Sequence, residues 1–111
     1  MNFLYLCSDK MGEGDPELGQ KLLLVFLEKL ADSDVPVDLV GCVNSGIFLT
    51  TSPGSPALAS LRKLAKRGAR IASCGTCLDH YGRSDQLQIG EVGSMDGTVQ
   101  LMATATRVIR P

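Results

Sequence analysis

Short apolar segments that suit β-strands alternate along this chain with longer segments that suit helices. Strands separated by helices need crossover connections, so the sheet should be mainly parallel with helices on both of its faces. We therefore expect one α/β domain over residues 1–111, a three-layer α/β/α arrangement around a mainly parallel five-stranded sheet whose strand order the pattern does not define. The predicted strands cover Phe3–Cys7, Val35–Val43, Ala69–Ser73, Leu87–Val92 and Thr106–Ile109.

Helix starts are marked by capping residues and by proline at the first helical position. Asp15 and Ser55 each precede such a proline, Gly68 suits the left-handed residue that ends a helix, and Ile47–Thr51 has no clear type. The predicted helices run from about Pro16 to Ala31, from Pro56 to the residues before Gly68, over a short turn at Leu78–Tyr81, and from Ser94 or Asp96 to about Thr104.

The first predicted helix has more apolar positions than one buried face requires. A surface helix normally carries a narrower apolar stripe, and a large apolar patch left in water is unusual for a monomer. We therefore expect a homo-oligomer, a dimer or a trimer, with this helix or its neighbour at the contact. Burial of the extra face under Ile47–Thr51 is the alternative. The apolar positions are Leu18, Leu22, Leu23, Leu24, Val25, Phe26, Leu27 and Leu30.

Charge and composition argue against whole classes of partner. The formal net charge is −1 and Trp is absent, which disfavours nucleic acid and anionic membrane surfaces. The longest apolar run, Leu22–Leu27, is far too short to span a membrane, and no secretory signal pattern is visible at the first residues. The expected location is therefore the cytoplasm, where thiols stay reduced.

Cysteine is the residue type that points to chemistry. Cys7, Cys42 and Cys74 stand at the carboxyl ends of predicted strands, the edge of a parallel sheet where reactive groups gather. Cys74 opens the motif Cys74-Gly75-Thr76-Cys77, in which Gly75 permits an unusual backbone and Cys77 falls near a helix start. Peptide N–H groups there are expected to lower the pKa of a thiol, which suits it to carry a persulfide or to form a transient disulfide.

Other interpretations of this motif remain open. The two cysteines could be small buried apolar residues. A thioredoxin-like site would need a later proline-led strand, but the only proline after Cys77 is Pro111. A zinc site would need Cys7, Cys42 or His80 to complete four ligands, and no second CxxC supports it, so neither a metal nor another cofactor is expected. His80, one helical turn beyond Cys77, could act as a local proton donor or cation.

A resemblance covers nearly the whole chain. Ser73–Gly82 with Leu87–Val92 closely resembles the DsrE/DsrF-like family, and within it the C-terminal domain of the YedF selenium-metabolism proteins. Gly12–Gly19 and Asn44–Gly46 look like further signatures of that family. The resemblance implies a DsrE-like α/β/α domain, an oligomer, and a cysteine persulfide in the loop that carries Cys74 and Cys77.

These expectations combine into one leading function. The chain would be a small sulfur relay protein, of sulfurtransferase-like type, that exchanges sulfur, or selenium, with donor and acceptor proteins. The full-length YedF proteins also contain a sulfur-carrier domain of the SirA/TusA type that is absent here, so such a carrier would act in trans. Family analogy favours Cys74 as the acceptor, whereas the helix start favours Cys77. The alternative is a non-catalytic subunit whose CxxC senses redox state or binds a metal.

Overall fold

Five parallel strands form one sheet in the computed structural model, which describes all 111 residues. The strands are β1 (Asn2–Leu6), β2 (Leu39–Cys42), β3 (Arg70–Cys74), β4 (Glu91–Gly93) and β5 (Arg107–Ile109). Their order across the sheet is β4-β3-β2-β1-β5, and every neighbouring pair is parallel. The predicted α/β class with a parallel five-stranded sheet is confirmed.

The helices begin where the sequence carries capping side chains. The Asp15 carboxylate accepts the N–H of Leu18, and the Ser55 and Ser94 hydroxyls accept N–H groups in the first turns of their own helices. These caps satisfy N–H groups that have no partner inside the helix. The helices are α1 (Pro16–Ala31), α2 (Phe48–Thr51), α3 (Pro56–Lys66), α4 (Gly75–His80) and α5 (Met95–Thr104), and a 3-10 helix (Asn44–Ile47) precedes α2.

The strand order determines how the helices are distributed over the two faces. From β1 to β4 the chain moves in one direction across the sheet, so right-handed crossovers place α1, α3 and α4 on one face. The return from β4 to β5 runs the other way and places α5 alone on the opposite face. The main core lies under the first group of helices, and α5 contains no buried residue. That core includes Leu4, Leu6, Val40, Ile71, Leu23, Leu27, Leu61, Leu64 and Leu78.

The wide apolar surface of α1 is only partly covered. Leu24 is half-buried and shares a groove with Phe48 and Leu49, so α2 covers some of the extra face, as the alternative explanation supposed. Exposed apolar side chains nevertheless remain on α1, with Leu18 53% and Val25 51% exposed.

The fourth strand is shorter than the sequence predicted. It begins at Glu91, whereas Leu87 and Ile89 are half-buried in the preceding loop and pack on the core without joining the sheet. Gly90 has a φ of +80° and lies so close to β3 that a Cβ would stand 2.4 Å from the Ile71 carbonyl oxygen. An apolar run can therefore reflect burial of a loop, and here it does.

No helix in the chain has both the length and the apolarity needed to cross a membrane.

Candidate functional site

The CxxC motif joins the end of a strand to the start of a helix, as predicted. Cys74 is the last residue of β3 and Cys77 is the third residue of α4. Gly75 does not adopt the unusual backbone expected of it, because its φ is not positive. A Cβ at Gly75 would stand 3.1 Å from Cγ1 of Val92, so glycine at this position lets β4 pack closely against the motif.

The two thiols of the motif face different spaces. Cys74 is only 8% exposed and lines a cavity of about 90 Å³ beneath α5, together with Phe3 and Leu101. Cys77 is half-buried and lines a separate, more open cavity of about 320 Å³. A second molecule can therefore reach the sulfur of Cys77 more easily than the sulfur of Cys74.

The walls of the larger cavity are mostly uncharged. No aspartate, glutamate, lysine or arginine contributes to them, and Thr76 and His80 lie among the lining residues. His80 is exposed, and its ring meets the ring of Tyr81 edge to face at 5.2 Å. Such a site suits a neutral or weakly charged sulfur group better than a polyanion. The lining consists of Val43, Asn44, Thr76, Cys77, His80, Tyr81 and Met95.

Asn44 is the residue of this cavity that contacts Cys77 most directly. Its backbone N–H donates to the Sγ of Cys77 at 3.1 Å. Its side-chain oxygen accepts the hydroxyl proton of Tyr81 at 2.9 Å. Asn44 is also the only non-glycine residue with a positive φ, at 52°.

The 3-10 helix that begins at Asn44 is pressed against the end of β1. The N–H of Val43 donates to the Leu6 carbonyl at 3.0 Å, and a Cβ at Gly46 would stand only 2.1 Å from that same oxygen. Only glycine allows this close approach. Gly46 therefore fixes the position of the 3-10 helix against the end of β1.

The expected lowering of the pKa of Cys77 is wrong. Burial raises the pKa of the Cys77 thiol above its ordinary value, and the Cys74 side chain raises it further through a hydrogen bond and its charge. The N–H of Asn44 acts in the opposite direction but does not outweigh them. The peptide N–H of Cys77 itself also lowers the pKa, but the two N–H groups together do not reverse this balance.

The two remaining cysteines differ in their relation to the motif. Cys42 ends β2, but its side chain lies in the core on the helix-rich face, and burial raises its pKa to about 12. The interpretation of Cys42 as part of the reactive edge fails because side chains alternate between the two faces of a strand. Cys7, one residue beyond β1, is half-buried. Burial raises the pKa of Tyr5, the charges of Cys7 and of both CxxC cysteines add to that rise, and the charge of Arg110 opposes it.

The structure shows no ligand set for a metal. No three side chains of the types His, Cys, Asp and Glu come together in a geometry that could hold an ion. The zinc interpretation needs four ligands, and the side chain of Cys42 is buried in the apolar core.

Besides the apolar Val43, sequence reasoning missed three contributors to the cavity. Tyr81 and Met95 gave no chemical signal, since an aromatic ring and a thioether are commonly packing residues. Asn44 did give one, because Asn before Ser-Gly is typical of a turn, and asparagine tolerates the left-handed backbone better than most residues. The pattern could not show that this turn would meet Cys77.

Comparisons with known proteins establish the fold. No family model matches the chain, and no curated protein matches it in sequence. Among solved structures it is similar to the ychN protein from E. coli, with 16% identity and a TM-score of 0.66 over 99% of this chain and 98% of that one. It is also similar to MTH1491 from Methanobacterium thermoautotrophicum, described as a protein of unknown function, with 21% identity and a TM-score of 0.68 over 99% and 97% of the two chains. The fold of this chain is therefore DsrE-like, as the resemblance implied.

Proposed function

We propose that the protein is a sulfur relay protein that carries a persulfide on Cys77. The observation that carries this proposal is the pairing of a reachable sulfur with a second thiol. Cys77 opens into a cavity of about 320 Å³ and receives a peptide N–H, while Cys74 stands three residues away and is nearly inaccessible. Accessible sulfur with a donor beside it is what exchange chemistry at sulfur requires.

Loading would proceed by thiol exchange at a donor persulfide. The thiolate of Cys77 attacks the outer sulfur of a donor cysteine persulfide, the sulfur–sulfur bond of the donor breaks, and the donor cysteine leaves as a thiolate. Cys77 then holds the persulfide. An acceptor thiolate attacks the same outer sulfur in the second step, and Cys77 is regenerated. No electron is gained or lost overall, so no cofactor is needed.

Cys74 supplies a second route out of the loaded state. Its thiolate can attack the inner sulfur of the Cys77 persulfide, which releases hydrosulfide and forms a Cys74–Cys77 disulfide. A dithiol reductant must then restore the pair. Because Cys74 is buried, its own sulfur is shielded from foreign thiols until it attacks the persulfide.

The surroundings of Cys77 support exchange in two ways. The peptide N–H of Asn44 stabilises negative charge on the sulfur, and His80 at the cavity lining can pass a proton to or from the exchanging thiols. Donor and acceptor would be proteins that present a cysteine to this cavity, a SirA/TusA-type carrier among them. Selenium in place of sulfur would follow the same steps.

Intact-mass spectrometry tests the proposal. The reduced protein is incubated with a cysteine persulfide donor and weighed before and after a reductant. We expect the mass of one sulfur atom to be gained and then removed by the reductant. Cys74→Ser should still load, whereas Cys77→Ser should not. Loading that is unchanged in Cys77→Ser, or absent from the parent protein, contradicts the proposal.

One alternative uses the same two thiols. The interaction between the side chains of Cys74 and Cys77 also favours a redox-sensing regulatory subunit, in which the pair switches between dithiol and disulfide. A small disulfide oxidant would then remove two hydrogen atoms from the protein. A persulfide donor would add no sulfur.

A further inference from the structure

The residue that touches Cys77 has a backbone that needs support. Asn44 alone among the non-glycine residues has a positive φ. A non-glycine residue holds this conformation at a cost, and it persists where the surroundings fix it, often at functional sites. The preceding residue, Val43, is extended with φ −132° and ψ 161°, so the chain turns abruptly at Asn44. This turn is what brings the N–H of Asn44 to 3.1 Å from the sulfur.

Tyr81 holds the side chain of Asn44 in place. The Tyr81 hydroxyl donates to the Asn44 side-chain oxygen at 2.9 Å. Its ring packs edge-on against Phe48, with centroids 4.7 Å apart. The hydrogen bond from Tyr81 to Asn44 joins the residue that ends α4 to the 3-10 helix on the other side of the cavity.

The ring of Phe48 is in turn held in place by Arg83. The guanidinium of Arg83 lies 4.4 Å from the centroid of that ring. Arg83 also donates to the hydroxyl oxygens of Thr51 and Ser52, at 3.1 Å and 3.2 Å. The ring of Tyr81 is therefore anchored on α2 and the residue that follows it, independently of Cys77.

We propose that Asn44 and Tyr81 act together as positioning residues: the Tyr81 hydroxyl holds Asn44 in its left-handed conformation, which keeps a peptide N–H aimed at the sulfur of Cys77 and stabilises negative charge there. The inference rests on the proposed function only for the identity of Cys77 as the relay atom. Without the hydroxyl, Asn44 is free to relax to an ordinary backbone conformation, and its N–H turns away from the sulfur.

A pair of matched substitutions tests the role of the hydroxyl. Tyr81→Phe removes it and keeps the ring. Tyr5→Phe is the control, since the Tyr5 hydroxyl makes no hydrogen bond although it lies near the same thiols. The readout is the pH dependence of Cys77 alkylation, followed by mass spectrometry of the peptide in the full-length protein.

The hydroxyl deletion should change the ionisation of Cys77. We expect Tyr81→Phe to raise the alkylation pKa of Cys77 by about half a unit to one unit, the size of one lost hydrogen bond of ordinary net strength. At neutral pH the alkylation rate should fall about two- to fourfold, because the more basic thiolate is also somewhat more nucleophilic. Tyr5→Phe should leave both values unchanged. An unchanged profile in Tyr81→Phe, or an equal shift in Tyr5→Phe, overturns the inference.

Substitutions at Asn44 separate positioning from general packing. Asn44→Gly keeps the N–H and adopts a positive φ without strain, whereas Asn44→Ala keeps the N–H but disfavours that backbone. Asn44→Gly should stay close to the parent profile, and Asn44→Ala should shift it as Tyr81→Phe does. In the Asn44→Gly background, Tyr81→Phe should add nothing. A full Tyr81→Phe shift in that background would show that Tyr81 does not act through Asn44. If Tyr81→Phe does not fold, the two Asn44 variants decide.

Measuring persulfide loading of the parent protein shows whether the positioning role or the relay function has failed. A parent that never gains sulfur, combined with the shifts described, refutes the relay function and leaves the positioning role standing. A parent that loads normally, with no shift in any variant, supports the relay function and refutes the positioning role.

Discussion

At the scale of single residues, the surroundings of each cysteine determine what it can do. Cys42 ends β2 and Cys77 lies in the first turn of the helix after β3, yet one lies in the core and the other lines an open cavity. Burial raises the pKa of both thiols, but only Cys77 has a hydrogen-bond donor that opposes the rise. Position at a strand end is therefore insufficient to identify a reactive cysteine. The face on which the side chain lies matters as much.

Cys42 should make the fold sensitive to alkaline pH. In the folded protein its thiol keeps its proton up to about pH 12, while the thiol of the unfolded chain ionises near 9.0. Between these values the unfolded state gains free energy from ionisation, so the free energy of unfolding falls by about 1.4 kcal/mol per pH unit, whereas below the lower value this contribution to stability is fully present. Urea titrations at several pH values should show a shallower decline for Cys42→Ala than for the parent. Equal declines in the stability of Cys42→Ala and of the parent would show that ionisation of Cys42 is not the cause.

Cys77 should react as a thiol that is harder to ionise than an ordinary one. Its alkylation in the folded protein should have a midpoint above 9.0, and in denaturant the midpoint should drop to that value. The cause is burial reinforced by Cys74, so Cys74→Ser should lower the midpoint in the folded protein. Rapid alkylation of folded Cys77 at neutral pH, with a midpoint below 9.0, would show instead that a thiolate is stabilised there.

At the scale of elements, the 3-10 helix places the reactive cavity. Its position depends on the absence of a side chain at Gly46, where a Cβ would meet a backbone oxygen at 2.1 Å. Gly46→Ala should destabilise the protein by about 2–4 kcal/mol, because neither backbone can move away without disturbing β1. Thermal melting measures the effect.

The same substitution in α5 provides the control. A Cβ at Gly97 meets only the Ser94 hydroxyl, at 3.4 Å, and alanine suits a helix better than glycine does. Gly97→Ala should therefore be neutral or stabilising by about 0.5 kcal/mol. Comparable melting temperatures for the two variants would show that the close packing of the 3-10 helix does not depend on glycine at position 46.

Some boundaries of helices and strands can be predicted from the sequence, whereas others and the long-range contacts cannot. The start of α1 at Pro16 and of α3 at Pro56 followed from capping chemistry that acts within a few residues. The limits of β4 did not, because Leu87 and Ile89 are apolar for packing in a loop. The contact between Asn44 and Cys77 joins residues 33 positions apart, so it depends on the strand order, which local patterns do not encode.

At the scale of the whole molecule, the sheet is covered unequally. One helix, α5, lies over the face opposite the main core, and it leaves apolar side chains such as Met95 and Val99 exposed. The outer surface of α1 adds Leu18, Leu22 and Val25, which follow one another at helical spacing. Two apolar surfaces on a chain of 111 residues favour self-association.

We predict a homo-oligomer that forms through α1. Each large aliphatic side chain buried at a contact contributes about 1.5–3 kcal/mol, and three of them offset much of the cost of association. Light scattering should give a mass above 11.8 kDa, and Val25→Glu should return the protein to a monomer. Val99→Glu places the same change on α5 and should leave the oligomer intact. A parent protein that is already monomeric contradicts the prediction, and dissociation by Val99→Glu alone would move the contact to α5.

The assignment of Cys77 as the relay residue depends on which sulfur is loaded when all four cysteines are present. The most direct test is peptide mapping of the unmodified protein after incubation with a cysteine persulfide donor, with free thiols and persulfides blocked by different alkylating reagents. Fragmentation between Cys74 and Cys77 assigns the extra sulfur to one of them. We predict that it is found on Cys77, the residue that opens into the larger cavity. Extra sulfur on Cys74 or Cys7, or none on any cysteine, would contradict the account.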